Sequence, residues 1–190
     1  MGYRQTSQKL AGYRRQIAAI RKKMRAAQAS AQPEEVRDYQ FATPKGRVRL
    51  SALFGGKDDL IVIHNMGASC PYCTLWADGY NGIYAHLADR AAFVVSSPDA
   101  PATQRKFARG RGWRFPMVSH QGTSFATDMG YRSKSGGWLP GVSVFRRDGA
   151  RIVRVADTGF SPYDDFCALW HLLDLLPGGA GGWTPKFGYR

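Results

Sequence analysis

Cys70-Pro71-Tyr72-Cys73 holds two thiols three residues apart, the spacing at which one helical turn brings both to the same face. Pro71 suits the first position of a helix, where a missing N–H costs nothing. Cys70 then stands beside the unpaired amides of the helix N-terminus, whose field favours the reactive thiolate. Cys73, one turn on, can close a disulfide onto it. The pair could instead be half of a zinc site, but zinc needs two more ligands. Cys167 and the four histidines offer no second paired motif. Dithiol–disulfide chemistry is therefore the stronger reading, ahead of a metal site or an inert pair, and it requires no bound cofactor.

The elements around the pair are legible from pattern. Leu60-Ile61-Val62-Ile63 is a short apolar run suited to a buried strand. Cys70 to about Arg90 reads as a helix, with Gly79 and Gly82 marking a bend. Ala92 to Ser96 is a second buried strand, Pro101 to about Arg109 a basic helix, and Pro116 to Ser119 a short extended piece. Val142–Phe145 and Arg151–Val155 form a hairpin around Asp148-Gly149. Ser161-Pro162-Tyr163-Asp164 has the pattern of a capping box, opening a last helix through Trp170 and Leu173 that stops at Pro177. Upstream, Tyr39–Phe41 and Gly46–Leu50 read as strands around a turn, and Ser51–Phe54 as one helical turn. Strand, helix and strand make a right-handed parallel crossover, and the hairpin adds antiparallel strands. A mixed sheet flanked by helices follows.

On these residues the chain resembles known families. Asp59 to Trp76 resembles the thioredoxin active-site segment, and Leu139-Pro140-Gly141 to Gly149 resembles the segment where a cis-proline precedes a strand and a turn. More closely, His64-Asn65-Met66, the Cys70–Cys73 motif, Ala77-Asp78, His86-Leu87 and Gly112–Pro116 resemble a bacterial and fungal family of unknown function, described as thioredoxin-like dithiol–disulfide oxidoreductases. The resemblance implies an α/β thioredoxin-like fold with a central mixed β-sheet. It also implies Cys70 as nucleophile, Cys73 as resolving cysteine and Pro140 as the cis-proline beside them. His64 falls where thioredoxins carry a buried acid that handles the second cysteine's proton, so it is either that proton carrier or a hydrogen-bonded core histidine.

Gly46–Phe54 and Phe115–Ser119 also resemble peroxiredoxin segments. That family places Pro and Thr or Ser ahead of its peroxidatic cysteine where this chain has Ile63 and Gly67, and Trp138-Leu139-Pro140 fall where its arginine belongs. These departures argue against thiol peroxidase chemistry, which stays the alternative. A non-catalytic interaction module with the same fold is a third reading. Asp78 and His86 read as solvated, Trp76, Trp113 and Trp138 as core, and Cys167 as buried and inert.

Residues 1–35 form a basic helical arm, 36–177 the thioredoxin-like domain and 178–190 a tail. In the arm Leu10, Tyr13, Ile17, Ile20 and Met24 make a narrow apolar stripe among basic residues, and the first acid is Glu34. The net charge of +13 permits anionic partners without selecting one. No nucleic-acid fold accompanies it, so only non-specific phosphate attraction is expected. A homodimer through the arm stays open. No segment approaches the roughly 18 apolar residues of a membrane span, no export signal is visible, and three cysteines suit a reducing compartment, so a cytoplasmic protein is expected. A protein or small-molecule disulfide or thiol is the implied substrate.

Overall fold

In a computed structural model, which describes residues 2–189, the chain divides into two compact units, Met1–Glu34 and Glu35–Arg190. Met1 and Arg190, the ends of the arm and the tail, lie outside the described residues. The first unit is one helix, α1 (Tyr3–Ser30), with no buried residue. Its apolar stripe follows the expected spacing, from Leu10 to Met24.

The second unit is built on an eight-stranded sheet. In chain order its elements are β1 (Glu34–Val36), β2 (Gln40–Thr43), β3 (Gly46–Arg49), α2 (Leu50–Leu53), β4 (Asp59–His64), α3 (Pro71–Arg90), β5 (Ala92–Ser97) and α4 (Pro101–Arg111). Then come β6 (Met117–Ser119), α5 (Phe125–Asp128), β7 (Gly141–Asp148), β8 (Arg151–Gly159) and α6 (Ala168–Leu173). The strand order is β1-β8-β7-β4-β5-β6-β2-β3. β4 runs parallel to β5, with His64 opposite Ser96, and antiparallel to β7, with His64 opposite Gly141. The β4–α3–β5 crossover and the β7–β8 hairpin thus form the centre of an α/β thioredoxin-like fold.

Alternation along the strands divides the core in two. Leu60 and Val62 of β4, Val94 of β5 and Phe145 of β7 join one apolar layer with Phe41, Phe54 and Phe125. Ile63 of β4, Phe93 and Val95 of β5 and Val142 of β7 join the other, where α3 packs. α3 buries Cys73, Trp76, Ala77 and Tyr80, a three-and-four spacing that makes one helical face. It runs unbroken through Gly79 and Gly82, where the sequence suggests a bend. A Cβ at either glycine would meet nothing within 4 Å, so their smallness answers no packing demand.

The last helix is shorter than its sequence signal. Ser161 to Asp164 forms a turn, with Tyr163 at φ 71°, a left-handed conformation that no helix accommodates. Asp164 accepts from its own turn, at Ser161 N (3.3 Å) and Phe166 N (2.9 Å), and from Trp76 Nε1 (3.3 Å). The capping-box residues therefore fasten the chain to α3, and the helix begins only at Ala168. The tail docks on the same unit: Trp183 packs edge-on to Trp170, and Arg111 Nη1 donates to Phe187 O at 2.8 Å.

Candidate active site

Cys70 is the N-cap residue of α3, with Pro71 at the first helical position. Its Sγ takes the place that a serine or aspartate oxygen holds at other helix starts, accepting the Cys73 N–H at 3.1 Å. The Cys73 thiol and the amides of Cys73 and Tyr72 all favour the Cys70 thiolate; partial burial opposes them and loses. The balance lowers Cys70 from the ordinary 9.0 to about 6. Every favourable contribution is a thiol or amide donor, with no cationic side chain among them.

Cys73 behaves oppositely. It is only 3% exposed, against a half-buried Cys70. Donation of its proton toward Cys70 raises its affinity for that proton, and burial raises it further. The Met66 N–H, 3.4 Å from Cys73 Sγ, offsets this in part. Both thiols are free. One cysteine is thus poised as a thiolate and its neighbour held as a thiol, the asymmetry that nucleophilic attack followed by resolution needs.

The loop between β4 and α3 is fixed by side chains that sequence reading passed over. Asn65 Oδ1 accepts from Gly67 N at 2.8 Å, and Asp99, just beyond β5, accepts from Ala68 N at 2.8 Å. Cys70 N closes the turn onto Gly67 O at 3.1 Å. Gly67 has φ +108°, and a Cβ there would lie 3.1 Å from both Asp99 carboxylate oxygens, so only glycine fits. Thr74 Oγ1 donates to Cys70 O at 2.9 Å, holding the first turn from the other side.

His64 stands on the wrong face of the sheet for proton transfer to the cysteines. It shares the parity of Leu60 and Val62, so its ring enters the layer opposite α3. There it stacks on Tyr131 at 3.7 Å between ring centres, and its Nε2 lies 2.9 Å from Ser143 Oγ. Burial, then the nearby charges of His120 and Arg154, push its pKa well below the ordinary range. The core-histidine reading is the one the geometry fits. His120 joins the same polar seam, with Nδ1 2.9 Å from Ser96 Oγ, and burial takes it down to about 4.

Pro140 lies one residue before Gly141, at the sheet end from which the cysteine loop departs, but the expected cis bond is absent. The Leu139–Pro140 bond is trans. Backbone bonds tie the chain down on both sides of it: Leu139 N donates to Tyr131 O at 3.0 Å, and Pro140 O accepts from Phe160 N at 2.9 Å. These place the chain for β7 without a change of isomer. Asp78 is also corrected. It is no solvated helix residue, since its carboxylate receives Trp113 Nε1 at 2.7 Å and pairs with Arg111 through both oxygens. His86 is exposed as expected; Trp76 is core, and Trp138 sets its ring edge against His120. Cys167 is buried, its thiol raised chiefly by burial.

Among the described residues no cluster of His, Cys, Asp and Glu could hold a metal, and no helix is long and apolar enough to cross a membrane.

Known structures share the fold. Reduced Prx3 from Vibrio vulnificus is similar with a TM-score of 0.57 at 14% identity, covering 70% of this chain and 89% of its own. Peroxiredoxin Q from Xanthomonas campestris gives 0.55 at 18% identity, covering 64% and 80% respectively. The peroxidoxin BcpB from Mycobacterium tuberculosis gives 0.52 at 28% identity over the same shares. No curated protein matches the sequence. The family model for "Bacterial protein of unknown function (DUF899)" matches residues 5–186. With that match across nearly the whole sequence, on a fold it shares with these peroxiredoxins, the chain belongs to the DUF899 family.

Proposed function

We propose that the protein is a thiol–disulfide oxidoreductase in which Cys70 attacks and Cys73 resolves. The observation that carries this reading is the opposed state of the two sulfurs, one lowered to about 6 and the other held protonated beside it. In the first step Cys70 Sγ bonds to one sulfur of a substrate disulfide, whose S–S bond breaks, and the released thiolate takes a proton from solvent. In the second, Cys73 loses its proton and bonds to Cys70 Sγ, and the second substrate thiol departs. The substrate gains two electrons and two protons; the protein ends as a Cys70–Cys73 disulfide, returned to the dithiol by a cellular thiol reductant in a reducing, cytoplasmic setting. Mixing the reduced protein with a peptide disulfide should produce that intramolecular disulfide and two peptide thiols. Failure to form it under oxidising conditions would remove the reading.

The peroxiredoxin neighbours favour a second reading, in which the Cys70 thiolate attacks a peroxide. The O–O bond breaks, an alcohol or water leaves, and Cys70 becomes a sulfenic acid; Cys73 then condenses with it, releasing water. The absence of any cation among the groups that lower Cys70 weighs against this order. Comparing initial rates with hydrogen peroxide and with the peptide disulfide decides between them.

A further inference from the structure

The helix α1 carries an apolar stripe that the thiol chemistry does not use. Leu10, Tyr13, Ile17, Ile20 and Met24 are between 44% and 62% exposed, on a helix that buries no residue. They recur at alternating steps of three and four, so they form one line along one face. Contiguous apolar surface of this kind marks a place where something else binds.

Charge selects what covers it. All eight charged side chains of α1 are cations. Lys9 and Lys23 border the stripe on one side, Arg14 and Arg21 on the other. The same spacing could form the seam of a paired helix, and these four hold the flanking positions that choose its partner. A second copy of the helix, running in either direction, would set cation against cation there. The other four, Arg4, Arg15, Lys22 and Arg25, lie farther round, at positions a partner helix leaves in solvent. The field of an anionic bilayer decays over about 8–10 Å, close to the width of a helix, and so acts on all eight. A nucleic acid would meet the cations and leave the stripe in water.

We infer that α1 lies along the surface of an anionic lipid bilayer, with the stripe from Leu10 to Met24 among the acyl chains and the bordering cations against the lipid phosphates. The helix is not apolar enough to cross, so it binds in the plane of the surface. The inference is independent of what the cysteines do.

The test is co-sedimentation of the intact reduced protein with large unilamellar vesicles, made of phosphatidylcholine alone or with one third phosphatidylglycerol. Binding to the phosphatidylglycerol vesicles should be at least about tenfold tighter, and should weaken as salt rises. Because α1 buries no residue, substitutions on it leave the core intact. Ile17→Gln with Ile20→Gln keeps the charge and should weaken vesicle binding about tenfold or more, the loss of two apolar side chains from the acyl layer. The same variant should bind a short DNA duplex as the wild type does, because phosphate contacts do not use the stripe. Arg15→Gln with Lys22→Gln, on the side away from the stripe, should weaken vesicle binding about threefold or more. Equal binding to the two vesicle types, or undiminished binding by either variant, would overturn the inference. So would self-association of the free protein, read by sedimentation velocity, that the stripe substitutions abolish, since a second copy would then be what covers the stripe.

Discussion

The backbone amide of Cys73 points at Cys70 Sγ across 3.1 Å, so the first sulfur of the motif caps the helix that carries the second. The contact ties the reactivity of one cysteine to the position of the other. Together with the Cys73 thiol, whose influence is larger, and the Tyr72 amide, it lowers Cys70 without a general base. Replacing Cys73 removes its thiol donor, the largest of the groups that lower Cys70, while the amide donors remain. A Cys73→Ala variant should therefore titrate Cys70 above the wild-type midpoint, whereas Cys73→Ser, whose hydroxyl can still donate, should stay nearer to it. Alkylation rates followed against pH read this directly.

The loop ahead of Cys70 depends on the fit of Gly67 to Asp99. Gly67→Ala meets both an unfavourable positive φ and the Asp99 carboxylate, and should cost about 1–3 kcal/mol of stability together with slower exchange. Asp99→Ala should free the Ala68 N–H and slow exchange as well, while Asp99→Asn, which keeps an acceptor, should restore it. Chemical denaturation and single-turnover disulfide reduction measure the two effects separately.

His64→Ala should lower stability by about 3 kcal/mol, the loss expected for a large ring removed from a packed core. It should leave the pH dependence of Cys70 alkylation unchanged, because the imidazole lies across the sheet from both sulfurs. A midpoint displaced by a full unit in this variant would contradict that placement.

The chemistry-bearing helix, the two central strands and the hairpin were all legible in the sequence, because each carries a strong local signal: Pro71 after Cys70, two short apolar runs, and Asp148-Gly149 between alternating residues. Long-range partners were not. Ala68 and Asp99 meet across 31 positions, and no local pattern announces that an aspartate beyond one strand will grip the loop beyond another. The parity of His64 with Leu60 and Val62 could be read, but the face on which α3 would pack could not. The capping signal at Ser161 misled for a physical reason: Asp164 is drawn to Trp76 and to amides of its own turn, and Tyr163 adopts a left-handed conformation. The three-residue β1, with two exposed positions, left no apolar pattern to find.

Both apolar layers and all three cysteines lie in the unit Glu35–Arg190. Deleting residues 2–30 should leave disulfide exchange unchanged, and any nucleic-acid affinity lost with them should be non-specific and fall steeply with salt. Stopped-flow reduction of a peptide disulfide and titrations at two salt concentrations test the pair of expectations. Sequence-selective binding that survives moderate salt would show the arm to be more than a charged helix.

The account rests on Cys70 being the thiolate and Cys73 the protonated partner, and peptide-resolved alkylation with iodoacetamide across pH measures both at once. A thiolate reacts and a thiol does not. Cys70, lowered from 9.0, should be modified with a midpoint at about pH 6: its rate falls as pH drops below that value and reaches a plateau above it. Cys73 should stay unmodified across the same range, and Cys70→Ser should abolish the acidic reaction without transferring it to Cys73. A Cys70 midpoint at the ordinary value of 9.0, or modification of Cys73 ahead of Cys70, would contradict the assignment of nucleophile and resolving residue.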